Sequence, residues 1–70
     1  MDADYVGTIM NIGSQFDRNG NILVVLLTVC VSEEFDTLTI GIPPESTYLY
    51  HVGQIVQIGI HGQYLVIIPL

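Results

Sequence analysis

The sequence predicts an all-β fold: a small five-stranded Greek-key barrel of the OB or SH3-like type, with one short helical turn between the third and fourth strands. Three observations carry that expectation. No segment keeps a 3.6-residue apolar period over the length a helix needs. Instead, β-branched residues and tyrosines come in short runs separated by Gly, Pro, Asn and Asp. Seventy residues also leave room for a single core, so residues 1–70 read as one domain with no linker, repeat or low-complexity tract. An open sandwich of this length would leave long strand edges unprotected, so closure is expected.

The first strand runs from Tyr5 to Ile12, with Gly7 and Gly13 marking bulges or strong bends. Asp17-Arg18-Asn19-Gly20 follows, and its Asn-Gly pair signals a hairpin because both residues tolerate positive φ. A long second strand spans Asn21 to Val31, and Ser32-Glu33-Glu34-Phe35-Asp36 forms the next turn. Thr37 to Ile42 is the third strand, with Leu38, Ile40 and Ile42 on one face and Thr37, Thr39 and Gly41 on the other. Pro43-Pro44 ends it, because proline cannot donate to a ladder. Glu45 to Tyr50 reads as a turn or a single helical turn. The fourth strand is Ile55 to Ile60, and a tight turn at His61-Gly62 leads to the fifth, Tyr64 to Ile68, which Pro69 ends.

Composition removes several functions. Half of the residues are hydrophobic and 11% are charged, against roughly 25% charged in a typical soluble chain. Seven acids face one base, Arg18, for a net charge of −6 and a pI near 4.1. A groove for nucleic acid needs a Lys or Arg for each phosphate it neutralises, so nucleic-acid binding is excluded. An anionic membrane surface is disfavoured for the same reason. Disorder is excluded by the high hydrophobicity. The longest apolar stretch, Ile22 to Val31, is too short for a spanning helix, which needs about 20 residues. The acidic opening Met-Asp-Ala-Asp does not resemble a secretory signal. The expected protein is therefore soluble and cytoplasmic as made, with a virus particle as a further destination.

Catalysis finds no foothold in the residues. Cys30 is the one cysteine; it reads as a small apolar strand residue and can form no internal disulfide. His51 and His61 have no H-x-x-x-H or C-x-x-C spacing around them, so no metal site and no cofactor are expected. Ser14, Ser32 and Ser46 lie in loops without a nucleophile elbow. A filled small barrel also has no room for a pocket of the usual 300 Å³ or more. No enzyme is expected.

The anomaly is apolar surface. A half-buried strand alternates, yet Ile22 to Leu27 and Tyr64 to Ile68 are apolar on both faces. One barrel has one interior. Either the terminal arm and the turn after Pro44 cover an outer face, or another chain does. The expected partner is therefore a second copy or an obligate protein partner, through the outward members of the second and fifth strands. The candidate interface is Leu23, Val25 and Leu27, or the alternate set beside them, together with Leu65 and Ile67. The lack of lysine fits, since lysine guards exposed strand edges and is depleted at interfaces. Glu33, Glu34 and Asp36 form an acidic turn that a basic partner could recognise, which would make the chain an inhibitor of that partner. Tyr48 and Tyr50 either face a partner or plug the barrel end.

From Val6 onward the order of signals resembles the TOBE or Mop-type molybdate-binding OB module. Gly7-Thr8-Ile9 resembles its first strand, Ile42-Pro43-Pro44-Glu45-Ser46 its turn, and Tyr50-His51-Val52-Gly53-Gln54-Ile55-Val56-Gln57-Ile58 its later strand. The family's Ala-Arg-Asn segment and the lysine of its final hairpin are absent. The resemblance implies an OB barrel, oligomerisation, and an oxyanion or small-ligand site between subunits. Ser46, Thr47 and Tyr48 are the candidate ligand residues, although Glu45 beside them would repel an anion. The leading expectation is a non-enzymatic assembly protein, of which a phage or virus cement, tail or baseplate component is one form.

Overall fold

A computed structural model describes residues 2–31 and 36–70. Its strands are β1 (Asp2–Phe16), β2 (Ile22–Val31), β3 (Asp36–Ile42), β4 (Ile55–His61) and β5 (Tyr64–Pro69), and a 3-10 helix, Pro44–Leu49, lies between β3 and β4. All five strands belong to one antiparallel sheet in the order β3-β2-β1-β4-β5. Three consecutive strands with the fourth returning beside the first make a Greek key. Among the described residues no ladder joins β3 to β5, so the barrel is partly open, as OB-type barrels are.

The sheet curls around β1. Its N-terminal half pairs with β4 from Asp2↔His61 to Thr8↔Ile55, and its C-terminal part pairs with β2 from Gly7↔Val31 to Phe16↔Ile22. Gly7 and Thr8 belong to both ladders. Gly7 sits against β2 so closely that a Cβ there would fall 2.5 Å from Val29 Cγ1 and 2.9 Å from the Cys30 carbonyl oxygen. A register shift between Ile9 and Asn11 leaves Met10 as an extra residue, and the bulge returns Ile12 to the inner face opposite Leu27.

The inner face carries the core: Ile9, Val25, Leu27, Val29, Val31, Ile40, Ile42, Val56 and Ile58. Among the described residues a six-residue helix is the one element besides the sheet, so their burial comes from the sheet curling over its own face. This settles which face of β2 points outward. Val25 and Leu27 are 3% and 0% exposed and form the middle of the core, so they cannot serve as the interface expected of them. The outward set is Val24, Leu26, Thr28 and Cys30. It is half-buried, partly because Val24 and Leu26 close over Gly41 on β3, 3.1 and 4.0 Å from where a Cβ would stand.

β1 is longer than the pattern predicts, continuing through Gly13, Ser14, Gln15 and Phe16. Those residues have modest strand propensity, but β2 offers Leu26, Val25, Val24 and Ile22 across the ladder and pairing overrides propensity. The hairpin turn is three residues, Arg18 to Gly20, closed by Asp17 N–H donating to the Asn21 carbonyl at 2.9 Å. Gly20 takes φ +82, and the Asp17 carboxylate accepts from the Asn19 and Asn21 amides at 2.8 and 3.0 Å. Asn-Gly thus marks the turn, with Gly20 supplying a left-handed residue.

Replacing Leu27 with Ala should cost about 2–5 kcal/mol, and replacing the neighbouring Leu26 far less, because only Leu27 leaves a core cavity. Urea denaturation of both variants checks this, and equal losses would contradict the assignment of faces.

Candidate functional site

The surface that stands out is the β4–β5 hairpin. β5 pairs with β4 alone among the described residues, from His61↔Tyr64 to Val56↔Pro69. Its other side is a free strand edge. No Asp, Glu, Lys or Arg occurs anywhere in residues 46–70, so this edge carries none of the charges that usually guard one. Gly62, at φ +63, makes the two-residue turn that fixes the register.

The alternation along β5 follows from that register. Ile67 lies opposite Ile58 and packs on the core, and Leu65 lies opposite Ile60 on the same inner side. Both candidate interface residues of this strand therefore point inward, but Leu65 remains exposed because β3 does not close over it. Tyr64, Val66 and Ile68 point outward and are 76%, 44% and 47% exposed. Val6 on β1, Ile55 on β4 and Leu70 continue this outer surface across the sheet, since Val6 pairs with Gln57, which pairs with Ile68. Leu70 N–H donates to the Ile55 carbonyl at 3.3 Å, which holds it beside β4. Within this outer surface Asp4 and His61 lie over Gly59, which pairs with Val66, with Asp4 Oδ1 and His61 Nε2 3.2 and 2.9 Å from where a Cβ would stand.

Tyr50 borders this site from the inside. It packs on the core, and its hydroxyl donates to the Ile67 carbonyl on the free edge of β5 at 3.5 Å. The choice left open for the two tyrosines thus falls out: Tyr50 packs on the core against β5, and Tyr48 is 84% exposed. Burial pushes the Tyr50 hydroxyl above its ordinary value of 10.0 by disfavouring the phenolate.

The other sequence-derived candidates do not converge. Ser46 and Thr47 are half-buried on the 3-10 helix, and the Thr47 hydroxyl donates to the Pro44 carbonyl at 2.7 Å. Tyr48 beside them is exposed. Asp36 begins β3, exposed, and its carboxylate accepts from the Thr37 amide at 2.8 Å; Glu33 and Glu34 lie outside the described residues. A cleft of about 110 Å³ opens between Tyr5, Val31, Asp36, Leu38 and Ile60, well under the roughly 300 Å³ at which ligand pockets begin. No cluster of three or more metal-ligating side chains occurs among the described residues, Cys30, His51 and His61 included. No helix there is long and apolar enough to cross a membrane.

A second exposed apolar group sits at the end of the β1–β2 hairpin. β4 stops pairing with β1 at Thr8 and β3 stops pairing with β2 at Val25, so the hairpin beyond them stands as two strands only. Phe16, Ile22 and Leu23 are exposed near its tip. Leu23 is the skipped residue of the register shift there, which removes it from the inward set its parity suggests.

Neither the protein-family models nor the curated proteins compared with this chain give a match. The site therefore rests on its own geometry. The signal that would have found it in the sequence is the uncharged run from residue 46 to 70; apolar content alone drew attention equally to β2, which the fold itself covers.

Because Tyr50 is raised in the folded state and not in the unfolded one, folding binds the phenolic proton more tightly. Its contribution is complete below pH 10.0 and is lost as pH rises from there through the higher folded value. Thermal melts should thus show a fall in stability beginning above pH 10, and Tyr50→Phe should reduce that fall. An identical alkaline profile in the variant would show that Tyr50 is not held against the core.

Proposed function

We propose that this chain is a non-enzymatic assembly protein, a small barrel that works by associating through the β5 edge and the outer face beside it. The observation that carries this reading is an edge strand apolar on both faces, with no charged residue in the surrounding hairpin of an otherwise acidic chain. Such an edge offers unpaired N–H and C=O groups next to side chains that lose nothing by leaving water. At about 25 cal/mol per Å² of apolar surface, covering it stabilises an association by several kcal/mol. The same gain supports a chain with one small core and no disulfide.

A structural part of a phage or virus particle is a setting that needs such a module. Oxyanion binding, which the resemblance to TOBE or Mop modules implies, has less support: Thr47 already spends its hydroxyl within the helix, and Tyr48 points to solvent. The inhibitor reading has one described acid, Asp36, in its favour.

Sedimentation velocity at micromolar concentration should show species larger than the monomer. Val66→Lys and Ile68→Lys each place a charge on the outward side of β5 and should return the protein to monomer with an unchanged circular dichroism spectrum. A monomeric parent protein would overturn the reading.

A further inference from the structure

A glycine inside a strand weakens it and often marks a place where something approaches the backbone closely. Over Gly7 and Gly41 that something is an apolar side chain, Val29 in one case and Val24 with Leu26 in the other. Gly59, inside β4, differs. The atoms over it are polar: His61 Nε2 and Asp4 Oδ1 lie 2.9 and 3.2 Å from where a Cβ would stand, with His61 Cδ2 at 3.5 Å. We infer that this convergence is a binding site for a divalent transition-metal ion of the zinc class, held by Asp4 and His61. The site does not depend on the assembly reading.

The topology brings the two donors together. Asp4 pairs with Gly59 across the β1–β4 ladder, and His61 follows two residues further along β4 on the same face. The His61 imidazole turns back over Gly59 toward the strand that carries Asp4. Both side chains are exposed. Two donors beside one point reach a single ion by small rotations, since Zn–N and Zn–O bonds run to roughly 2.0–2.2 Å. A side chain at position 59 would occupy that point. The ladder position opposite His61 is Asp2, so a second carboxylate residue belongs to the same corner of the sheet. Water completes the coordination of an ion on such an open face.

Donor chemistry and charge choose the ion. An imidazole nitrogen with a carboxylate oxygen suits zinc, nickel or copper, whereas calcium and magnesium take oxygen ligands. The chain carries a net charge of −6, and its one basic side chain, Arg18, lies beyond the opposite end of β1. A divalent cation is therefore drawn to this protein. Bound there, it offsets the Asp4 carboxylate on the outer surface beside Val66. Local spacing conceals the site because its donors come from the first and fourth strands.

Zinc chloride titrated into the full chain, in a buffer that does not bind metal, tests this by calorimetry and by amide chemical shifts. One ion per chain should bind, the Asp4, Gly59 and His61 resonances should move first, and excess magnesium should not compete. Asp4→Asn and His61→Gln should each weaken binding by at least about tenfold, a loss that even the outer partners of a metal ligand give. Gly59→Ala should weaken it as well, because the added Cβ displaces the end of the exposed His61 side chain while the circular dichroism spectrum stays unchanged. His51→Gln and Cys30→Ser should bind zinc as the parent does. No binding at millimolar zinc overturns the site, and so does undiminished binding in Asp4→Asn, His61→Gln or Gly59→Ala. Binding lost in a folded His51→Gln or Cys30→Ser variant places the zinc elsewhere and overturns it equally.

Discussion

The first strand has to serve two ladders at once, and Gly7 is where it does so. Residues before it pair with β4 and residues after it with β2, so the sheet must turn sharply at the handover. A side chain at Gly7 would collide with Val29 and with the backbone of Cys30. Without that turn the five strands would lie as an open sheet, and the inner apolar residues would have nothing to pack against. The bulge at Met10 completes the work by restoring Ile12 to the inner face after the bend. One core results, enclosed by the strands themselves.

A sheet curled on itself has a cost that appears at its two ends. β3 and β5 are the outermost strands, and among the described residues neither finds a further partner. They differ in chemistry. β3 alternates and turns threonines and Gly41 outward, with Val24 and Leu26 folded over the glycine. β5 has apolar residues on both sides, and Tyr50 covers only part of its inner margin. Of the two edge strands it is thus β5 that leaves apolar surface on both sides, within the uncharged run of residues 46–70.

Much of this was legible in the sequence. Runs of β-branched residues between Gly, Pro and Asn gave five strands and the short helix after Pro43. The alternation of Leu38, Ile40 and Ile42 placed β3 correctly, with Ile40 and Ile42 in the core. β2 was different: with six consecutive apolar residues, period two cannot choose a face, and Val25 and Leu27 proved to be core. The choice is made by Ile9 and Ile12 across the ladder, after a bulge that no local pattern announces. Leu65 and Ile67 also face inward, because their side is set by a turn of two residues at Gly62. The full extent of β1 was hidden because Gly13, Ser14 and Gln15 are weak strand formers held by their partners in β2.

The central claim is that the edge of β5, apart from the Ile67 carbonyl that Tyr50 reaches, is unsatisfied within one chain and is covered by association. His61 and Tyr64 flank the two-residue turn as a hydrogen-bonded pair, so Leu65 and Ile67 turn their N–H groups to the open edge. Amide hydrogen exchange of Leu65 and Ile67, followed as protein concentration rises, reads this most directly. The account predicts fast exchange at high dilution and slow exchange in concentrated protein, with Val29 and Ile58 slow throughout. Equal and slow exchange of Leu65 and Ile67 at every dilution would show that the chain satisfies this edge by itself, and equal and fast exchange would show that nothing covers it.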